Sequence, residues 1–243
     1  MRIALATGIA AATLATAGCG HSRAEDGGPT VQRSYQVGNF QRIEVAGPYD
    51  VDVRTGSKAS VSATGPEKLL EHLVVEVKGD RLVIHTERHG GWFNWGGFHT
   101  NGSAKLAVTV PSLSEAVIAG SGGINVDQVK GDQFEGTVAG SGDLSVGNLD
   151  VQSLKLSIAG SGGVKANAGQ ARQAEYSIAG SGDIDARGVR GETAAAEIMG
   201  SGSINGQATA AADIKIMGSG DVTMTGGAKC NVTKHGSGSA NCS

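Results

Sequence analysis

Aromatic side chains are scarce in this chain: two Trp, three Tyr and four Phe among 243 residues. So few rings argue against a wide interior and for a thin one filled by Ile, Val, Leu and Ala. Basic charge is not concentrated anywhere. The net charge is −3 and no Lys/Arg run occurs, which removes the electrostatic footprint of a nucleic-acid-binding protein. Cysteine appears three times and never as Cys-x-x-Cys, so a dithiol redox role lacks its motif. The apolar stretch from Ile3 to Ala17 is too short to cross a membrane as a mature helix.

Glycine is abundant instead, 40 of 243 residues, against a usual share of about 7%. Seven Gly-Ser-Gly triplets begin at Gly120, Gly140, Gly160, Gly180, Gly200, Gly218 and Gly236, in steps of 20, 20, 20, 20, 18 and 18 residues. Two residues before each stand Ile118, Val138, Ile158, Ile178, Ile198, Ile216 and finally Lys234. Four residues after stand Ile124, Leu144, Val164, Ile184, Ile204, Val222 and Ala240. Apolar residues take the even offsets and polar or small ones mostly the odd, which is the strand period. Both glycines of a triplet fall on the inward parity, as expected at a corner where the backbone turns tightly over a core. Seven such breaks rule out helices.

A period near 20 is the mark of stacked units, none of which can bury its apolar side alone. The expected fold is therefore all-β. Residues 114–243 should form a right-handed parallel β-helix of ~20-residue coils, about 4.8 Å apart. Regularly spaced short strands also occur in antiparallel sandwiches and barrels, but identical corners favour one unit stacked on itself. Residues 33–113 read as a β-rich segment with one short helix near 65–73, opened by Pro66. A hairpin follows, turning at Lys78-Gly79-Asp80-Arg81.

The N-terminus carries an address. Met1-Arg2, the apolar stretch and Leu14-Ala15-Thr16-Ala17-Gly18-Cys19 read as a signal peptide over 1–18. Small residues directly before Cys19 resemble a bacterial lipobox, with Cys19 as the lipidated first residue. Thr16 departs from that pattern, and ordinary cleavage after Ala17 is the alternative. Acylation of Cys19 leaves Cys230 and Cys242 as an even pair. Residues 19–32 read as a flexible tether. No Asp follows Cys19, so by resemblance to other lipoproteins the outer membrane is the expected destination, with the periplasm as the alternative.

The order of elements carries a family resemblance. It runs from Phe40-Gln41-Arg42-Ile43-Glu44-Val45 through Tyr49-Asp50-Val51-Asp52-Val53 and a Leu-rich turn before a hairpin. Val108-Thr109-Val110-Pro111 then leads into the first Gly-Ser-Gly corner. This arrangement resembles the family of putative auto-transporter adhesins, head GIN domain, over roughly 31–220. The resemblance implies an all-β, exported bacterial protein. It implies no catalytic residues, so none are carried over.

Four groups of residues invite a chemical role. Trp92, Phe93, Trp95 and Phe98 lie in a glycine-flanked run that holds both tryptophans of the chain. Such rings can stack on a sugar or wedge into a membrane interface; the plainer reading is a flap over the open end of the solenoid. Asp143, Asp183 and Asp221 follow alternate corners, about 10 Å apart in a stacked coil. Calcium needs six to eight oxygens at about 2.3–2.6 Å, so these Asp are expected in local turn hydrogen bonds. His85, His89 and His99 would meet on one metal only if the glycine-rich run folded back, and no metal is expected. Cys230 and Cys242 sit six residues either side of Gly236. They can bond if the terminus folds back, and are too far apart in a straight coil.

Two outward rows, Ala119, Ala139, Ala159 and Ala179 beside Ser121, Ser141, Ser161 and Ser181, form a flat ladder that suits a partner or the chain's own N-terminal segment. No Ser-His-Asp grouping or converging carboxylate pair is visible, and Gly-Ser-Gly is not the nucleophile elbow Gly-x-Ser-x-Gly. The expected function is a non-enzymatic, lipid-anchored envelope protein, an adhesin-like scaffold or binding module without a cofactor. Its expected partners are an envelope polysaccharide or another surface protein. The alternative is a periplasmic carbohydrate-binding or carbohydrate-processing β-helix protein.

Overall fold

A computed structural model describes residues 28–87 and 103–243. The chain forms a β-solenoid of about six turns, and the strands among the described residues make one 18-stranded sheet. The reason lies in each coil. Between Asp143 and Gly162 the buried residues are Leu144 and Val146, then Leu149 and Val151, then Leu154, Leu156 and Ile158. Alternation breaks at Gly147–Asn148 and at Gln152–Ser153, where two neighbours both face away from the core. Those breaks and the Gly-Ser-Gly corner divide a coil into three sides around a thin apolar interior.

Nine strands precede the regular repeats or begin them: β1 (Thr30–Tyr35), β2 (Arg42–Ala46), β3 (Asp50–Thr55), β4 (Ser60–Pro66), β5 (Leu73–Lys78), β6 (Arg81–Thr86), β7 (Lys105–Val110), β8 (Glu115–Gly120) and β9 (Gly123–Gly140). Then come β10 (Asp143–Gly160), β11 (Gly163–Ala166), β12 (Gly169–Gly180), β13 (Asp183–Asp185), β14 (Val189–Gly200) and β15 (Ser203–Gly218). The last coil and a half holds β16 (Asp221–Thr225), β17 (Lys229–His235) and β18 (Ser239–Cys242). The helix expected near 65–73 is one short turn, α1 (Glu67–Glu71), preceded by Pro66. The hairpin is β5–β6, with Gly79 at φ +66° in its turn, a conformation that costs glycine nothing. β1 starts at Thr30, inside the stretch expected to be tether. Its half-buried Val31, Arg33 and Tyr35 alternate with exposed residues as it pairs antiparallel with β4.

From β8 onward, coils stack in parallel register, 20 residues apart up to Ile198 and 18 beyond it, so that Ile118, Val138, Ile158, Ile178, Ile198 and Ile216 form one inward column. The two corner glycines turn out to differ, where the parity suggested that both face inward. The second is buried, and a side chain on Gly162 would strike the carbonyl oxygen of Gly142 in the coil beside it. The first stands on the bend itself, with φ between +129° and +139° in all seven triplets, where L side chains are strained. Its carbonyl anchors the next coil: Gly140 O accepts from Ser161 N at 2.9 Å and Gly162 N at 3.1 Å.

The N-terminal segment is not a separate layer. β2 lies between β6 and β8, and β3 between β7 and β9, all parallel. Strands β2 and β3 thus make a coil of the same solenoid, with Gly47-Pro48-Tyr49 as its corner. Gly47 has φ +132°, and Gly122 N donates to its carbonyl at 3.0 Å. The outermost coil is β6 and β7. Beyond it the geometry turns antiparallel, as β5 pairs with β6 and β4 with β7.

Candidate functional site

In the outermost coil the corner is replaced. β2 and β3 are joined by three residues, whereas β6 and β7 are joined by the 18 residues 87–104. This insertion contains Trp92, Phe93, Trp95, Phe98, His89 and His99, all of which lie outside the described residues, as does Cys19. Its two ends are fixed. Glu87 N donates to His72 O at 2.7 Å, and Asp50 N to Ala104 O at 3.3 Å.

Tyr49 explains how the core tolerates the missing corner. It holds the position of the second corner glycine, where regular coils have no room for a side chain. Here the next coil outward carries the 18-residue insertion in place of a Gly-Ser-Gly triplet, and the Tyr49 ring is fully buried. Its hydroxyl is hydrogen-bonded to Thr86 Oγ1 at the root of the insertion. A groove of about 660 Å³ opens at the same root, lined by Glu44, Ala46, Val83, His85, Thr86 and Ala119 among others. On its rim His85 Nε2 lies 3.4 Å from Glu76 Oε1. The Glu76 carboxyl is held below the usual range by hydrogen bonds, first from Lys78 and then from His85. His85 is thus the one member of the histidine trio within the described residues. Among those residues no three His, Cys, Asp or Glu side chains converge as metal ligands.

The aspartates extend further than the triplets suggested. Asp50, Gly123, Asp143, Gly163, Asp183, Ser203, Asp221 and Ser239 form one column across eight stacked strands. Acidic residues strictly alternate with Gly or Ser in it. The bonds run between coils rather than within turns: Ser203 Oγ donates to Asp183, and Ser239 Oγ to Asp221 Oδ1 at 2.6 Å. The Ser239 hydroxyl, then its backbone N–H, holds the Asp221 carboxyl below its ordinary value. Asp185, one row away, is lowered first by a hydrogen bond from Arg187, whose Nη2 lies 2.7 Å off.

At the other end Cys230 and Cys242 are joined in a disulfide with Cα atoms 6.6 Å apart. The terminus need not fold back for this. β17 and β18 stay parallel to β15 and β16, and the two cysteines extend the inward columns of Ala212 and Met224, which face each other across the coil. Lys234 occupies the inward isoleucine column in this last coil, and Val232 is 45% exposed.

Two features escaped the sequence reading. The Gly47-Pro48-Tyr49 corner was hidden by the absence of a triplet, although Val45, Val51 and Val53 flank Gly47 at the same offsets as Ile118, Ile124 and Val126 flank Gly120. The place of the aromatic run within a coil was also hidden, because β2 and β3 enter the stack between coil segments that come later in the chain.

A parallel β-solenoid with an 18-residue insertion in place of one end corner defines the class: an elongated β-helical domain. The chain belongs to the family of putative auto-transporter adhesins, head GIN domain, whose model matches residues 39–228; the protein is adhesin-like. It is similar to the crystal structure of a putative adhesin from Bacteroides fragilis NCTC 9343, at TM-score 0.79 and 23% identity over 88% of this chain and 97% of that one. A putative lipid binding protein from Parabacteroides distasonis ATCC 8503 superposes at TM-score 0.73 with 27% identity, over 89% of this chain and 97% of that one. A putative adhesin from Parabacteroides merdae ATCC 43184 gives TM-score 0.70 and 21% identity, over 90% and 98%. No curated protein matches the chain.

Proposed function

We propose that this is a non-enzymatic, exported envelope protein, held by a lipid on Cys19, in which a rigid solenoid presents the aromatic insertion to a partner. The observation that carries the reading is the replacement of a three-residue corner by 18 residues containing both tryptophans, in one coil at one end. The coil beside it closes the same corner with three residues, Gly47-Pro48-Tyr49. Flat aromatic rings are suited to stacking on sugar faces, so an envelope polysaccharide is the first partner class. The remaining length of the protein then acts as a spacer.

One observation favours a second reading, contact with the lipid surface itself. β1 lies beyond β4 and β7, so the chain enters the fold at the same end as the insertion. The 11 residue steps from Cys19 to Thr30 reach at most about 38 Å. The Parabacteroides distasonis relative at 27% identity is a putative lipid binding protein. Aromatic side chains at that distance from an anchor fit the headgroup region.

Tryptophan fluorescence separates these readings, because Trp92 and Trp95 are the only emitters. The mature chain carrying Cys19→Ala is titrated with envelope polysaccharides and then with anionic lipid vesicles. A saturable shift with one of them, lost in Trp92→Ala/Trp95→Ala, assigns the partner. A blue emission indifferent to both makes the insertion a cap and removes the proposal. The anchor is tested by fractionation: Cys19→Ala should release the protein from the membrane, and retention of the variant argues against lipidation.

A further inference from the structure

The lateral surface of the solenoid has an indentation where the coil length changes. Triplets are 20 residues apart up to Gly200 and 18 apart beyond it. The structure places the loss on one side. Asp185 pairs with Asn205, an offset of 20, but Gly191 pairs with Ala208, an offset of 17, and Thr193 with Ala211, an offset of 18. Three residues are missing opposite 186–190, and one is regained opposite Glu192, where the ladder is irregular between Gly191 and Thr193. Such irregularities open sheets locally and often adjoin functional sites. Here the result is a notch of about 410 Å³, within the size range of small-molecule sites, about 300–1,000 Å³.

Its lining is polar and partly paired. Gln170 Nε2 donates to Asp150 Oδ1 at 2.9 Å, and Arg172 Nε to Glu192 Oε2 at 3.3 Å. Thr209 Oγ1 donates to Gly191 O at 3.1 Å and ties the short coil to the long one. Gln152 completes the rim. Arg190 stands among them, and among the described residues no side-chain hydrogen bond or ion pair engages its guanidinium. Both carboxylates of the notch already have donors. A second anion beside Arg190 therefore meets an unused planar fork, the geometry that matches a carboxylate. The amides and the carboxylates around it offer both donors and acceptors, which is what the hydroxyls of a sugar require.

We infer that the notch formed by Arg190, Gln152, Gln170 and their neighbours binds an acidic saccharide, with Arg190 pairing the carboxylate of a uronic acid unit. This site is distinct from the aromatic insertion and stands without it. The test uses the mature chain with Cys19→Ala in isothermal titration calorimetry at low salt. The probes are trigalacturonic acid, its methyl ester and sodium acetate. The acid is expected to bind, with affinity falling as salt is raised. The ester and Arg190→Gln should each bind about tenfold more weakly or not at all. Arg187→Gln, a control already paired with Asp185 and outside the notch, should bind like the parent, as should Trp92→Ala/Trp95→Ala. No heat with the acid, equal affinity for acid and ester, or an Arg190→Gln variant that binds like the parent overturns the inference. Acetate binding as tightly as the trisaccharide overturns its saccharide part.

Discussion

Replacing Gly162 by Ala tests whether the corners are set by the neighbouring coil rather than by turn conformation. No left-handed φ is required at Gly162, unlike Gly160 at +136°, so alanine meets little conformational penalty there. The obstacle is space. The new methyl would overlap the Gly142 carbonyl oxygen and come within 2.7 Å of Val138 Cγ1. Relief means parting two coils that Gly162 N→Gly140 O and Gly163 N→Gly142 O, both 3.1 Å, hold together. Weakening two hydrogen bonds worth about 1 kcal/mol each, with overpacking of about 1–3 kcal/mol, gives a loss near 3 kcal/mol. For a domain of this size that lowers Tm by roughly 6–12 °C. Ser161→Ala in the same triplet is the control. Its side chain is exposed, and a change within about 0.5 kcal/mol is expected. The assay is thermal unfolding followed by far-UV circular dichroism. If both variants melt within 2 °C (roughly the width of the control effect) of each other, inter-coil contact is not what the second glycine serves.

Tyr176 is buried, and its hydroxyl has no hydrogen-bond partner among the described residues. Tyr176→Phe should therefore stabilise the fold by about 1 kcal/mol, read as a higher urea midpoint. Burial raises the Tyr176 pKa above its ordinary 10.0, so the folded state keeps a proton that the unfolded chain releases. Stability from this group is complete below pH 10 and declines as pH rises beyond it. Tyr176→Phe should flatten that alkaline decline, and an unchanged profile would show the hydroxyl to be solvated. Reducing the Cys230–Cys242 disulfide, or Cys230→Ser/Cys242→Ser, removes a closure worth up to about 3 kcal/mol. Limited proteolysis should then cut within β17–β18 first, while the corner coils before Gly218 stay protected.

The solenoid was legible because its signals are local and repeated. Isoleucine columns, strand alternation and corner spacing each state the same period. What stayed illegible depends on the order in space rather than along the chain. Nothing in 42–55 says that its coil enters between β6–β7 and β8–β9. The insertion at 87–104 therefore reads along the chain as a glycine-flanked aromatic run rather than as a rebuilt corner. The cysteine pair was judged along the chain, where twelve residues separate them; across a thin coil the two sides converge. Arg190 carried no sequence signal at all. Its notch arises from a register change that the 18-residue step announces only as a number.

The alternating aspartate column makes the heritable building block of this rod two coils, not one. Deleting residues 163–182 would bring Asp183 directly onto Asp143, setting like charges at the ~4.8 Å strand spacing. Deleting 163–202 would instead seat Ser203 on Asp143 and preserve the alternation. Lengthening obeys the same parity. Natural variation in the reach of such rods should therefore come in steps of about 40 residues, each adding roughly 10 Å, with single-coil gains confined to copies whose acidic residue has been replaced.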